Sequence, residues 1–281
     1  MQARVVKRES AQYLELTLKM YVDEVGLRLD KQACIKCDVC ALVCPRRAVS
    51  VIPGEADLEI FIDPRQCVLC EICAHFCPVG AVTLSYNGQP KTIFAEHQGL
   101  ARFFPKISMD KGKCVQPCPP LPEGEVHWCR RELKLIANAL EECPKQCRKC
   151  LEVCPRQAII WDEAGSQTLP QPDLCLRCAQ CLQACENEAI LVQPQFRGSI
   201  EIDDRKCPPD CLKCVQLCPV KAIVRDGQRV FLKVEDCSYC GVCRNICDQD
   251  AIVFIREEVV AEPGAYSQAW DHAVAKLING G

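Results

Sequence analysis

The stretch ACIKCDVCALVCPRRAV, residues 33–49, decides the fold of this chain because it places four cysteines at fixed intervals. Cys34, Cys37, Cys40 and Cys44 follow the pattern C-x2-C-x2-C-x3-C, and a proline comes directly after the last of them. Cysteines that are grouped two or three residues apart have a spacing suited to metal ligation. The stretch therefore predicts a metal centre that is held by thiolates.

This spacing, with its final proline, is that of the bacterial run that holds a 4Fe-4S cluster, in which the fourth thiolate reaches a neighbouring cluster. One run therefore requires a second, and CVLCEICAHFCPVG supplies it at residues 67–80. We expect the two runs to exchange their fourth cysteines. The two predicted ligand sets are Cys34, Cys37, Cys40 and Cys77, and Cys67, Cys70, Cys73 and Cys44.

The composition decides how the remaining cysteines are interpreted. The chain has 281 residues and 27 cysteines, an odd number that excludes complete disulfide pairing. Residues 1–24 lack the apolar segment and the cleavage site of a signal peptide. No apolar run approaches the ~18 residues of a membrane-spanning helix. We therefore expect a cytoplasmic protein without membrane insertion, in a reducing compartment where cysteines bind metal instead of forming disulfides.

The charge of the chain disfavours a nucleic-acid partner. The formal net charge is −3, and each 4Fe-4S core with four thiolates adds roughly −2. Proteins that bind nucleic acids present a concentrated basic face, whereas Lys and Arg are scattered along this sequence. We therefore expect protein partners and no nucleic acid.

The pattern C-x3-A-[VI] occurs six times, each time beginning at the last cysteine of a run. The six copies are CPRRAV at Cys44, CPVGAV at Cys77, CPRQAI at Cys154, CENEAI at Cys185, CPVKAI at Cys218 and CDQDAI at Cys247. Six runs pair into three modules, and two of the runs carry one extra residue between their first two cysteines. The same exchange predicts four more ligand sets: Cys143, Cys147, Cys150, Cys185; Cys175, Cys178, Cys181, Cys154; Cys207, Cys211, Cys214, Cys247; and Cys237, Cys240, Cys243, Cys218.

Short alternating stretches flank the cysteine runs and predict strands and hairpins. In the first module these are GLRLD, AVSV, LEIFID and AVTLSY, and the other modules have equivalent stretches. Each module should run strand, cysteine loop, short helix, hairpin, cysteine loop, short helix, strand. This α+β pattern resembles the two-cluster bacterial ferredoxin fold, and three such modules in tandem resemble the polyferredoxins. The expected divisions are an N-terminal extension 1–26, a first module 27–95, a second module 96–195 with an insertion at about 114–142, a third module 196–255 and a C-terminal docking tail 256–281.

Three cysteines in the insertion remain outside the six ligand sets, namely Cys114, Cys118 and Cys129. One interpretation makes them buried or free thiols. Another gives the insertion a metal of its own, with His127 or Cys143 as a fourth ligand. The stretch ISMDKGKC, which ends at Cys114, also resembles IEIDDRKC in the third module, so that Cys114 competes with Cys143 for a first-ligand position. We favour Cys143, because CPKQC resembles CPPDC.

The C-terminal stretch predicts an amphipathic helix. Tyr266, Trp270, Ala273, Val274 and Leu277 share one face at helical spacing. This face can dock another subunit or pack back on its own ferredoxin module, and the sequence leaves both alternatives open.

The motifs indicate electron transfer without catalysis. The sequence contains no Gly-rich dinucleotide fingerprint, no Walker loop and no arrangement of a catalytic nucleophile. Each predicted cluster has four cysteines, which leaves no vacant iron for a substrate. We therefore expect a non-catalytic protein in which a linear array of six clusters acts as a wire between a donor and a remote acceptor.

The tandem modules, the CPPDC and CPKQC variants and the terminal extensions resemble the polyferredoxin subunits of formylmethanofuran dehydrogenase complexes. This resemblance implies an anaerobic electron conduit whose partners are a donor, an acceptor and a catalytic subunit with tungsten or molybdenum. Polyferredoxins of hydrogenase and heterodisulfide reductase complexes are the alternative within the family. A stand-alone ferredoxin-like carrier and a zinc scaffold are alternatives from other classes.

Overall fold

The structure is a computed structural model that describes residues 5–53, 57–92, 96–104, 106–108, 149–162, 167–185 and 190–279. The predicted insertion lies outside these stretches, together with five cysteines: Cys114, Cys118, Cys129, Cys143 and Cys147. Within the described stretches, no helix is both long enough and apolar enough to span a membrane.

Within the described stretches, the order strand, short helix, hairpin, short helix, strand occurs three times. Two strands precede the first repetition, β1 (Val5–Glu9) and β2 (Tyr13–Lys19). The first repetition consists of β3 (Glu24–Asp30), α1 (Val39–Val43), β4 (Val49–Pro53), β5 (Leu58–Ile62), α2 (Ile72–Phe76) and β6 (Val82–Tyr86), and β7 (Gln89–Pro90) follows it. The second consists of β8 (Ile107–Ser108), α3 (Lys149–Glu152), β9 (Ile159–Asp162), β10 (Gln167–Pro170), α4 (Gln180–Ala184) and β11 (Leu191–Val192). The third consists of β12 (Phe196–Ile202), α5 (Lys213–Leu217), β13 (Ile223–Asp226), β14 (Arg229–Leu232), α6 (Val242–Ile246) and β15 (Ile252–Val259), and α7 (Gln268–Asn279) ends the described chain.

Antiparallel pairing closes each repetition on itself. The opening strand pairs with the closing strand, in the pairs β3–β6, β8–β11 and β12–β15. The two middle strands form the hairpins β4–β5, β9–β10 and β13–β14. The two helices of each repetition consequently lie against each other. Each described cysteine run ends where its short helix ends, so its last cysteine is carried towards the other run of the same repetition.

The N-terminal strands extend the sheet of the first repetition. The sheet has the order β1-β2-β3-β6-β7, and the residues of β2 and β3 alternate between its two faces as strand geometry requires. Leu14, Leu16, Leu27 and Leu29 are buried on one face and belong to the same apolar core. Residues 5–19, which the sequence assigns to an extension, therefore continue the first sheet.

The C-terminal helix α7 packs on the chain itself. Trp270, Ala273 and Leu277 are buried in one apolar core with Val39 of α1 and Phe76 of α2. The helix also contacts β15. The end of the described chain thus lies against its first repetition, more than 200 residues earlier in the sequence.

Candidate iron-sulfur centres

Four cysteine loops share a backbone conformation that accompanies the strict C-x2-C-x2-C spacing. In each of them, the residue before the second cysteine and the residue after it have positive φ. These residues are Lys36, Asp38, Leu69, Glu71, Arg177, Ala179, Tyr239 and Gly241. Left-handed residues in a tight loop turn successive N–H groups towards one point, which is the geometry of an anion-binding loop. The C-x3-C-x2-C loop from Cys207 to Cys214, all of which the structure describes, contains no such residue.

Backbone N–H groups donate hydrogen bonds to the cysteine sulfurs. The repeated alanine of C-x3-A donates from Ala48 to Cys44 Sγ at 3.2 Å, from Ala158 to Cys154 Sγ at 3.2 Å and from Ala222 to Cys218 Sγ at 3.3 Å. At the start of three loops, Lys36 N donates to Cys34 Sγ, Arg177 N to Cys175 Sγ and Tyr239 N to Cys237 Sγ, each at 3.4 Å. Hydrogen bonds to sulfur favour the charged thiolate and tune the potential of a cluster bound to it.

The residue directly before the alanine of C-x3-A explains why the alanine is small. This residue has positive φ at Arg47, Gly80, Gln157, Lys221 and Asp250. The alanine that follows is therefore turned inward, and it is buried in every described copy. A larger side chain has no room there, because protein interiors are close-packed.

In the first repetition, the structure brings the last cysteine of each run beside the first three cysteines of the other. Burial raises the pKa of the Cys34 thiol to about 11, and the charge of Cys77 adds to this rise. Burial likewise raises the pKa of Cys67 and of Cys70, and in both cases the charge of Cys44 contributes.

In the second repetition, the described thiols of one predicted set also lie together. Burial raises the pKa of Cys178 to about 11, with contributions from the charges of Cys175 and Cys154. It raises the pKa of Cys181 to about 12, and Cys150 adds to that rise along with the same two neighbours. Cys150 and Cys185 are the described members of the other predicted set, and Cys143 and Cys147 lie outside the described residues.

The third repetition shows both exchanges. Burial raises the pKa of Cys214 to about 11, and the charges of Cys207, Cys211 and Cys247 add to it. Burial raises the pKa of Cys237 to about 12, and Cys240 and Cys218 contribute. The last cysteine of each run again lies beside the other run.

These donors fit a 4Fe-4S cluster chemically. Buried thiols that repel one another when charged are stabilised as thiolates by binding a metal centre. Two cations next to Cys175, the buried Arg177 and the partly buried Lys106, suit the negative charge of such a centre. Burial lowers the pKa of Arg177 to about 10 and also lowers the pKa of Lys106, while the charge of Cys175 opposes both shifts. Among the residues that the structure describes, no three His, Cys, Asp or Glu side chains are arranged to hold a single metal ion.

The sequence patterns did not identify the charged residues around these thiols. Lys106 is far along the chain from Cys175, and Arg256 lies in a strand that looks like an ordinary half-exposed strand. Arg177 lies inside a cysteine run, where the spacing marks only the cysteines. The one signal that could have found Arg256 is the alternation of β15, which puts position 256 on the buried face together with Ile252 and Phe254.

Comparison with family models finds the same kind of centre. Two models, each described as a 4Fe-4S dicluster domain, match residues 28–84 and residues 174–222. The second match spans the runs that begin at Cys175 and Cys207. In the structure, however, Cys175 and its neighbours lie beside Cys154, and Cys207 lies beside Cys247.

Small ferredoxins are similar to part of the chain. A ferredoxin of Methanothermococcus thermolithotrophicus is 41% identical over 56 residues, which are 19% of this chain and 93% of that protein. An uncharacterised ferredoxin of Methanocaldococcus jannaschii is 34% identical over 56 residues, which are 19% of this chain and 90% of that protein.

A solved structure resembles almost the whole chain in fold. It is a chain of the formate dehydrogenase–heterodisulfide reductase–formylmethanofuran dehydrogenase complex from Methanospirillum hungatei, with a TM-score of 0.78 and 23% identity over 99% of this chain and 92% of that one. The cysteine geometry, the two dicluster matches and the ferredoxin relatives agree. The chain belongs to the ferredoxin family with 4Fe-4S dicluster domains.

Proposed function

We propose that this ferredoxin is a polyferredoxin with six 4Fe-4S clusters in three two-cluster modules, and that it is a non-catalytic electron conduit of a multi-subunit oxidoreductase. The observation that carries the proposal is the exchange of last cysteines. Cys77, Cys44, Cys247 and Cys218 each lie beside the other run of their repetition. This interlocked arrangement is what two-cluster ferredoxins require, and a set of independent zinc sites does not need it.

All 24 cysteines predicted from the sequence are proposed as ligands, including Cys143 and Cys147. The module boundaries proposed are 27–95, 96–195 and 196–255. They follow the pairing of the opening and closing strands in each repetition.

The chemistry that a 4Fe-4S cluster supplies is the transfer of single electrons at a potential set by its surroundings. The residues of this chain provide those surroundings. Ala48, Ala158 and Ala222 donate N–H groups to sulfur, and apolar side chains such as Val39 and Leu176 exclude water from the loops. With four cysteines in every set, the chain offers no open iron site for a substrate.

The partner complex is proposed from the fold. The Methanospirillum hungatei chain that shares this fold belongs to a complex that contains formylmethanofuran dehydrogenase. Together with the CPPDC and CPKQC variants, this supports a place beside a catalytic subunit of that kind, in the cytoplasm of an anaerobic organism.

Metal analysis of the protein purified without oxygen from its native source tests this function. We expect about 24 iron and about 24 sulfide per chain, since six sets each hold four irons, and copurification of a molybdenum or tungsten subunit. Zinc in place of iron would contradict the electron-transfer function. A chain that has full iron but copurifies with no other subunit would contradict only its role as a conduit within a complex.

A pair of cysteine variants tests the ligand assignment. Cys77→Ser should lose at least the roughly four irons of one cluster, whereas Cys129→Ser, outside every predicted set, should keep the wild-type iron content. Equal iron in the two variants contradicts the assignment. Loss of zinc from Cys129→Ser assigns that thiol to a separate metal.

A further inference from the structure

Three of the six proposed ligand sets, one from each module, lie beside one apolar core, which also contains Cys44 of the first module's other set. We call them the inner sets; they are Cys34, Cys37, Cys40, Cys77; Cys175, Cys178, Cys181, Cys154; and Cys237, Cys240, Cys243, Cys218. Val79, Leu176 and Val220 each lie one or two residues after an inner cysteine, and all three are buried in one apolar core. The inference below rests on the proposed function.

The first and third modules touch through equivalent positions of their inner loops. Asp38 follows Cys37, Gly241 follows Cys240, and both residues have positive φ. A Cβ added to Gly241 would lie 3.5 Å from the carbonyl oxygen of Cys37 and 3.6 Å from Asp38 Oδ1. Burial, followed by the charges of Cys40 and Cys77, raises the pKa of the Cys37 thiol, and the charge of Cys240 adds to this rise. Two predicted cluster ligands from opposite ends of the chain are therefore neighbours.

A buried ion pair fixes this contact. Arg256 is 0% exposed and donates from Nη2 to the carbonyl oxygen of Cys240 at 2.6 Å and to Asp38 Oδ1 at 3.4 Å. Arg244 donates from Nη2 to Asp38 Oδ2 at 3.0 Å. One carboxylate of the first module thus binds two arginines of the third.

The first and second modules are joined by Lys106. Its Nζ donates to the carbonyl oxygens of Pro78 at 2.7 Å, Pro172 at 2.9 Å and Cys175 at 3.2 Å. Pro78 directly follows Cys77, so this partly buried ammonium lies between one inner set and the next.

The second and third modules are joined by two glutamines of α4. Gln180 donates from Nε2 to the carbonyl oxygen of Val220 at 2.7 Å. Gln183 donates from Nε2 to Asp236 Oδ1 at 3.3 Å, directly before Cys237. The three modules are consequently linked to one another in pairs by side chains beside their inner sets.

The described outer cysteines of the second and third modules lie apart from this contact. Among the described apolar cores, Cys207, Cys214 and Cys247 are grouped with residues of the third module, and Cys150 and Cys185 with residues of the second. A linear array would instead place the second module between the other two.

We propose that the three inner sets form a three-way electron junction, in which the first and third modules exchange electrons directly across the Cys37–Cys240 contact held by Asp38, Arg244 and Arg256. One cluster is oxidised as its neighbour is reduced, and no bond or proton moves. The electron comes from the low-potential donor of the conduit. The outer sets of the second and third modules then serve as separate exits.

Redox titration of the full-length holoprotein, monitored by electron paramagnetic resonance, tests the junction. Two variants are compared, one that removes a negative charge and one that removes a positive charge. Asp38→Asn keeps the shape of the side chain and removes a negative charge, which favours the reduced clusters. Arg244→Gln removes a positive charge and favours the oxidised clusters. We expect two components to shift in each variant, upward in the first and downward in the second, by a five- to tenfold change in the one-electron equilibrium constant, tenfold being about 59 mV.

The controls are Asp248→Asn and Lys213→Gln, which change an exposed pair of a carboxylate and a cation at 2.7 Å beside an outer set. Each should shift one component only. If the junction variants act only by disturbing the structure, the potentials should shift in the same direction in Asp38→Asn and in Arg244→Gln. That result would contradict the proposal.

If Asp38→Asn and Arg244→Gln keep full iron and each shifts the reduction potential of one component only, the junction is wrong. The proposed conduit function would remain. Iron far below the expected content in the wild-type protein overturns the proposed function instead. Should Asp38→Asn fail to retain iron, Arg244→Gln, in which the changed side chain is partly exposed, decides the outcome alone.

Discussion

The loop from Cys34 to Cys40 and the loop from Cys207 to Cys214 hold cysteines for the same purpose in different surroundings. The first has strict spacing and two left-handed residues, and Asp38 within it is buried against the third module. The second has one extra residue and no left-handed residue, and the side chains between its cysteines face solvent.

The difference shows where an extra residue can be accommodated. A loop pressed against another module must present its backbone at close range, which the left-handed residue beside each middle cysteine permits. A loop at the surface has room for Pro208 and Pro209 to bulge outward. Among the loops that the structure describes, strict spacing therefore accompanies packing between modules, and the one relaxed loop, from Cys207 to Cys214, lies at an open surface.

The largest expected contrast concerns iron content. Cys211→Ser, in the exposed loop, should lose one cluster of about four irons. Cys37→Ser should lose more than one cluster, because its thiol is buried where two modules meet and the neighbouring set around Cys240 loses support. Iron and sulfide analysis of both variants measures this. Equal losses would contradict the structural distinction between the two loops.

The next contrast compares a buried ion pair with an exposed one. Asp38→Ala leaves Arg256 buried without its carboxylate, which should cost about 3–5 kcal/mol of stability. Asp248→Ala removes the exposed partner of Lys213 and should leave the thermal transition of the holoprotein almost unchanged. Thermal unfolding under anaerobic conditions measures both, and a similar shift for the two variants would refute the comparison.

Alanine substitutions at two glycines with positive φ distinguish the stability cost of backbone strain from the cost of steric crowding. Gly227→Ala, in the β13–β14 turn, places a Cβ in open space at φ +58 and should cost about 1 kcal/mol. Gly241→Ala places it at φ +92 and 2.8 Å from Arg256 Nη2, and should cost about 2–3 kcal/mol. Chemical denaturation of the two variants gives the difference. A larger loss at Gly227 would show that the junction is not closely packed.

The smallest expected contrast is the response to salt. Raising the ionic strength from about 0.1 M to about 1 M shortens the screening length from about 10 Å to about 3 Å. The exposed Lys213–Asp248 pair should weaken, and the buried Asp38–Arg256 pair should not. The thermal transitions of Asp248→Ala and Asp38→Ala, each compared with wild type in both buffers, test this. If the difference in thermal stability between Asp38→Ala and wild type changes with salt, the Asp38–Arg256 pair is not buried.

Local features of the fold could be predicted from the sequence. The mixed helix and strand composition and the ferredoxin relationship are confirmed. The predicted strands such as GLRLD and AVTLSY correspond to β3 and β6, because alternation and turn signals act over a few residues. The six ligand sets remain a prediction that the thiol geometry supports.

The sequence could not predict the surroundings of the sites. Lys106 and Arg256 look like ordinary surface residues in a strand or linker, and their role depends on carbonyl oxygens of other segments. The helix α7 was recognisable as amphipathic, yet its periodicity does not say which surface covers it. The structure places it on α1 and β15.

The sequence by itself determined the cysteine spacing, the repeated C-x3-A unit and the order of strands and helices, because each depends on residues close together in the chain. Only the tertiary structure decided which modules touch. The Asp38–Arg256 contact joins residues 218 positions apart, and it forms because a carboxylate and two arginines can be buried only where folding brings them together.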